Sequence, residues 1–180
     1  MLKPEKKAIG ILGGSFDPPH KGHVEISKKY LKKLKLKKIY WTITKKNPFK
    51  NETFFSLKKR IQKSKIILKR LKDIQVLYLD SKIRSSRMIN IIRYFRTVKN
   101  EKNLYLILGS DNLLNFHKWT SWKKIVKLTK LVVFSRKGYD KKSKESLVVK
   151  YLKNKNIVFV KNKLINISSS NIKKKFKTFK

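Results

Sequence analysis

The 180-residue chain has no cysteine, only ten acidic residues, and no apolar run approaching the roughly 18 to 20 residues of a membrane span. Without cysteine it forms neither a disulfide nor a thiolate metal site, and any reducing compartment suits it. The few acids form no cluster that could cage a hard cation. Met1 to Lys7 runs into the first apolar stretch without a signal-like segment, so the expectation is a cytoplasmic protein with no membrane partner.

What abounds is positive charge. Lys and Arg number 49 against 10 Asp and Glu, a formal net charge of +39. Only seven of the cations are arginine, and the lysines are scattered rather than gathered on one stripe. That reads as a compositional bias, whose physical consequence is a field that attracts nucleotides and permits nonspecific, salt-sensitive binding to nucleic acid. With 40% hydrophobic residues, the length suits one globular domain over residues 1–180.

Short continuous apolar runs recur at Ala8 to Leu12, Ile39 to Ile43, Ile74 to Leu79, Leu104 to Leu108, Leu131 to Phe134 and Ile157 to Val160. Runs of this length without alternation predict strands covered on both faces. Helical spacing separates them: Ile26, Tyr30 and Leu34 with Leu31; Leu57, Ile61, Leu68 and Leu71; and Ile89, Ile92 and Phe95 or Arg96. Alternating strands and helices predict an α/β fold with right-handed crossovers, a doubly wound parallel sheet and a ligand crevice at the strands' carboxyl ends. Asp140 to Lys155, rich in Lys and Ser, is predicted to be a surface segment.

The most informative stretch is Gly13-Gly-Ser-Phe-Asp-Pro-Pro-His-Lys-Gly-His23. Gly13 and Gly14 let the backbone turn or approach a ligand, and Pro18 and Pro19 stiffen the exit. A helix is predicted from near Lys21, with His20 and His23 at its mouth. Three residues apart they share a face and can both meet an anion at the helix start.

This stretch resembles the signature of the HxGH nucleotidyltransferases, a Rossmann-like family, and specifically its bacterial nicotinate-nucleotide adenylyltransferase branch. Two further stretches carry the resemblance in the same order. Gly109-Ser-Asp-Asn-Leu-Leu-Asn-Phe-His-Lys-Trp119 is similar to the branch's GxDxLxxFxxW segment and is followed by Phe134-Ser-Arg-Lys-Gly-Tyr139, where the branch has an Arg-Pro-Gly-Tyr-like loop. Ile167-Ser-Ser-Ser-Asn-Ile-Lys173 is similar to its ISSTxIR phosphate-binding segment. The resemblance implies adenylyl transfer from ATP to nicotinate mononucleotide, with Mg2+ held by the substrate phosphates and no protein metal site.

It further implies His20, His23 and Lys173 as catalytic residues, with His23 nearest the α-phosphate. ATP would also meet Gly13, Gly14, Ser15, Phe16, Gly109, Asp111, Ser168, Ser169 and Ser170, Asp111 taking the ribose hydroxyls. The acceptor nucleotide would meet Lys50, Arg87, Trp119 and Arg136, Trp119 stacking on the pyridine ring. Two departures stand out: Ser85-Ser86-Arg87-Met88 replaces the branch's Ser-Tyr-Thr segment before the third helix, and Lys173 replaces an Arg. Lys carries a point charge rather than a bidentate fork.

Each assignment has a plainer rival. The histidines could cap the helix, Asp111 could be an N-cap, and Ser168 to Ser170 could be only a cap. Trp119 and Trp122 could share a helix face, with Trp122 a core residue and His117 either packing or contacting ligand. Another transferase of the family, taking nicotinamide mononucleotide or phosphopantetheine, and a noncatalytic nucleotide or RNA binder are the competing functions. A homo-oligomer is compatible with all of them.

Overall fold

The six apolar runs become six strands: β1 (Ile9–Gly14), β2 (Lys38–Ile43), β3 (Ile74–Leu77), β4 (Leu104–Gly109), β5 (Lys130–Phe134) and β6 (Ile157–Val160). The computed structural model describes residues 8–45 and 53–160. The strands form one sheet in the order β3-β2-β1-β4-β5-β6, every neighbouring pair parallel. This is the doubly wound arrangement expected from the alternation of strands and helices, with its switch point between β1 and β4.

Side-chain parity divides the core. Ile9, Ile11, Leu104, Leu106, Leu108, Leu131 and Val133 point to one face. There they meet α3 (Met88–Thr97), α4 (Ser110–Leu114), α5 (Trp122–Leu128) and α7 (Leu147–Leu152). Ile39, Trp41, Ile43, Tyr105, Ile107 and Val132 point to the other face, toward α1 (Lys21–Lys33) and the end of α2 (Leu57–Ile67). Each fully buried aliphatic contributes about 1.5–3 kcal/mol, so covering both faces is what holds the sheet. Gly10 lets the α1 side pack closely, because a Cβ there would lie 3.0 Å from Ile107, Ile39 and Leu36 side-chain atoms, which would have to give way.

Two expectations need correction. Asp140 to Lys155 is not merely a surface segment: it holds α6 (Asp140–Lys144) and α7, whose Val148 and Val149 are buried. Val148 and Val149 supply too little apolar pattern in a Lys-rich run to stand out. The helix expected from Leu57, Ile61, Leu68 and Leu71 is α2, with Leu57 and Ile61 half-buried against the core and Leu68 buried just past its end, while Arg60 and Ser64 are its fully buried positions. Trp119 and Trp122 do not share a helix, since Trp119 caps a 3-10 turn (Phe116–Lys118) and Trp122 opens α5, with Ser121 left-handed between them at φ 57°.

Candidate active site

At the switch point the chain leaves β1 and β4 toward opposite faces. β1 passes through Ser15 to Pro19 into α1, and β4 enters α4 directly at Ser110. The divergence opens a crevice at the carboxyl ends of the strands. On the α1 side, Phe16 adopts a left-handed backbone at φ 47°, an uncommon choice for an aromatic, and its buried ring stacks on Trp41 at 4.7 Å. The ring therefore packs behind the site and touches His23 at 4.9 Å between centroids.

His20 is the N-cap of α1 and is buried, and His23 stands one turn later with ring centroids 3.8 Å apart. The His20 amide donates to His23 Nδ1 at 3.2 Å. Capping and convergence thus coexist: with Nδ1 accepting, a neutral His23 carries its proton on Nε2. Behind it, Trp41 Nε1 donates to Ser27 Oγ at 2.8 Å, and Ser27 Oγ donates to the His23 carbonyl at 2.8 Å. Burial, reinforced by the positive charge of Arg136, lowers the His20 pKa to about 4, so this imidazole is neutral at pH 7.

The β4 side supplies Asp111 and Arg136. Gly109, not Asp111, is the N-cap of α4, which removes the capping explanation for Asp111. Gly109 pairs with Phe134 in the sheet register, so the residues just beyond them face each other. Arg136 Nε lies 3.9 Å from Asp111 Oδ1, and its guanidinium lies over the Phe134 ring at 5.1 Å. His20 Nδ1, Asp111 Oδ1 and Arg136 Nε are buried atoms without a hydrogen-bond partner among the described residues. Orphaned polar atoms of this kind ordinarily serve a ligand or water.

The other expected residues fall around this core. Gly13 and Gly14 end β1, and a Cβ on Gly13 would collide with the Met88 methyl group, so the start of α3 lies over the strand end. Arg87 is exposed at the N-cap of α3. Trp119 is half-buried against Phe116 at 4.8 Å, while Trp122 packs edge-on to Tyr151 at 5.0 Å. His117 is half-buried, its Nδ1 without a hydrogen-bond partner. Lys50, Ser168, Ser169, Ser170 and Lys173 lie outside the described residues.

A buried arginine was not anticipated at all. Arg60 donates to the carbonyls of Phe55 (3.1 Å), Ser15 (2.7 Å), Thr44 (2.8 Å) and Lys45 (3.0 Å). Burial lowers its pKa, opposed by the carboxylates of Asp17 and Asp80. Asp17 accepts from the amides of Phe54 at 2.7 Å and Phe55 at 2.9 Å, and Asp80 accepts from the amide of Lys45 at 2.8 Å. The turn after β1 is thereby tied to chain on both sides of residues 46–52. A charged residue at a helix position between Leu57 and Ile61 was the one available signal.

Comparison with known proteins agrees with this architecture. The family model for cytidylyltransferase-like proteins matches residues 11–175. A probable nicotinate-nucleotide adenylyltransferase of Pelagibacter ubique is 46% identical over 97% of this chain and 99% of its own length. One from Aquifex aeolicus is 33% identical over 89% of this chain and 98% of its own. Among solved structures, Plasmodium falciparum nicotinic acid mononucleotide adenylyltransferase complexed with NaAD aligns with a TM-score of 0.75 at 22% identity, covering 93% of this chain and 83% of that one. At that identity the likeness is one of fold.

Proposed function

The chain belongs to the cytidylyltransferase-like family, among its nicotinate-nucleotide adenylyltransferases, and from that membership we propose that it transfers the adenylyl group of ATP to nicotinate mononucleotide. A phosphate oxygen of the mononucleotide attacks the α-phosphorus of ATP. The bond from that phosphorus to the bridging oxygen breaks, giving nicotinate adenine dinucleotide and pyrophosphate. Nothing covalent is asked of the protein, only positioning and stabilisation of negative charge.

The observation that carries the reading is the set of orphaned polar atoms on His20, which packs on His23, and on the paired Asp111 and Arg136, whose charge acts on His20. A neutral His20 and an Nε2-protonated His23 are hydrogen-bond donors suited to α-phosphate oxygens. Asp111 is an acceptor suited to ribose hydroxyls, and Arg136 is a cation suited to the acceptor's phosphate. Trp119 and Arg87 are assigned to the pyridine nucleotide, with Lys50. Ser168 to Ser170 and Lys173 are assigned to the outer ATP phosphates, and Gly13, Gly14, Ser15 and Gly109, at and just beyond the ends of β1 and β4, to further ATP contacts.

Imidazole and guanidinium donors suit phosphate oxygens, and among the described residues no group of three or more His, Asp or Glu could hold a metal ion. Magnesium held by the ATP phosphates would neutralise charge and polarise phosphorus there. Among the described residues no helix is long and apolar enough to cross a membrane.

Pyrophosphate release tests the proposal, with ATP and magnesium and with nicotinate mononucleotide, nicotinamide mononucleotide or phosphopantetheine offered separately. Nicotinate mononucleotide is expected to be the preferred acceptor. His23→Ala is expected to lower kcat by about 10²-fold or more with an unchanged circular dichroism spectrum, the scale seen when one charge-stabilising donor is removed. Near-normal turnover in that variant overturns the mechanism, and preference for another acceptor moves the substrate while keeping the chemistry.

A further inference from the structure

Asp140 opens α6 and joins the two chain segments that frame the β4 side of the crevice. Its Oδ1 accepts from Ser110 Oγ at 2.7 Å and from the Arg136 amide at 3.0 Å. That amide also donates to Ser110 Oγ at 3.0 Å, so the three groups close a triangle. The Ser135 side chain adds a further hydrogen bond to the carboxylate, and Ser143 Oγ donates to the Asp140 carbonyl at 2.9 Å. Ser110 immediately precedes Asp111. One carboxylate oxygen therefore gathers the exits of both β4 and β5, just where they present Asp111 and Arg136.

The direct pair between those two residues cannot do this. At 3.9 Å, with side chains 37% and 31% exposed, Asp111 and Arg136 form a long, solvent-screened contact of little energetic value. We propose that Asp140 is a positioning residue that sets the separation of Asp111 and Arg136, and so aligns the ATP ribose with the acceptor phosphate. This rests on the adenylyl-transfer reading given above.

The chemistry supports an anion in this place. Burial alone raises the Asp140 pKa, but hydrogen bonds from Ser110, the Arg136 amide and Ser135, with the charge of Lys144, outweigh it and hold the carboxyl below its usual range. Asp140 acts on the reaction only through Arg136 and Asp111. The arrangement also reaches His20, whose environment includes the His23 ring and the Arg136 cation.

The test compares Asp140→Ala with Asp140→Asn, whose amide oxygen can still accept from both Ser110 and the Arg136 amide. Asp140→Ala is expected to raise KM for one or both substrates about tenfold, and Asp140→Asn to restore it to within about threefold, since misplacements near 1 Å carry costs of this order or more. NMR titration of the histidines gives a readout independent of turnover. If Arg136 shifts away in Asp140→Ala, the His20 pKa rises from about 4 in that variant and stays near it in Asp140→Asn, whereas an unchanged value in Asp140→Ala overturns the proposal.

A merely structural role would lower the melting temperature without moving KM or the His20 titration in the folded protein. That result overturns the proposal, as does equal damage in the Ala and Asn variants. Should Asp140→Ala not fold, Ser110→Ala carries the test: the same directions at smaller size support it, and unchanged values overturn it. If no adenylyl transfer is found at all, the titration still decides whether Asp140 places Arg136, so the two readings fail separately.

Discussion

At the scale of single residues, the decisive property of the site is that one histidine is kept from charging. His20 loses solvent on entering the α1 cap and then faces Arg136, and both effects disfavour the imidazolium, taking its pKa from 6.5 to about 4. The unfolded chain binds this proton below about pH 6.5 while the folded chain does not until about pH 4. Stability contributed by neutral His20 is therefore complete above pH 6.5 and is lost as the pH falls toward 4. The loss should amount to about 2–3 kcal/mol at the acid end, from the size of the shift. Urea unfolding from pH 7 to pH 4 checks this: the fall in stability should be smaller by that amount in His20→Gln than in the natural protein. Equal falls would show that His20 is not buried as a neutral group. Arg60 illustrates the opposite solution, a buried cation kept charged because four carbonyls and two nearby carboxylates surround it.

At the scale of elements, the site is set by where strands end. The register that pairs Gly109 with Phe134 puts Asp111 and Arg136 each just past the end of its strand and opposite each other. Gly109 has no Cβ because that space is taken: a methyl group there would collide with the Asp111 carboxylate and come within 3.1 Å of Phe134 and 3.2 Å of Arg136. Gly109 itself needs no left-handed backbone, with φ at −79°. Gly109→Ala should thus leave β4 intact and push the Asp111 carboxylate and the neighbouring Phe134 and Arg136 side chains aside. The expected outcome is a rise of about tenfold in KM for ATP with a melting temperature within about 3 °C of the natural protein, as for a shift of ligand contacts rather than of the core. A large fall in melting temperature with unchanged KM would mean that the close packing there serves stability instead.

At the scale of the molecule, the net charge of +39 dominates the far field. Isolated contacts mean little at this scale, because charges separated by more than about 10 Å are screened at 0.1 M salt. The summed field nevertheless concentrates anions and should produce sequence-independent binding to nucleic acid. Fluorescence anisotropy with random-sequence oligonucleotides should show affinity falling about tenfold for every two phosphates neutralised as salt rises from 50 to 200 mM. Salt-insensitive or sequence-selective binding would point to a built nucleic-acid site rather than to bulk charge.

The sequence by itself determined the order of strands and helices, the parallel sheet, and the placement of His20 and His23 behind β1, because apolar periodicity and turn chemistry are local. It also carried the Gly109 to Trp119 stretch, whose Asp111 lies at the crevice. What escaped it depends on partners distant along the chain. Arg60 meets Ser15 across 45 positions, Asp17 meets Phe55 across 38, and Ser110 meets Asp140 across 30. In one dimension Arg60 and Asp140 are solvated charges in Lys-rich surroundings. Only the tertiary structure, by bringing distant segments side by side, turns them into a buried hub and a tie between loops, since desolvation and hydrogen-bond geometry exist only between segments that have already met.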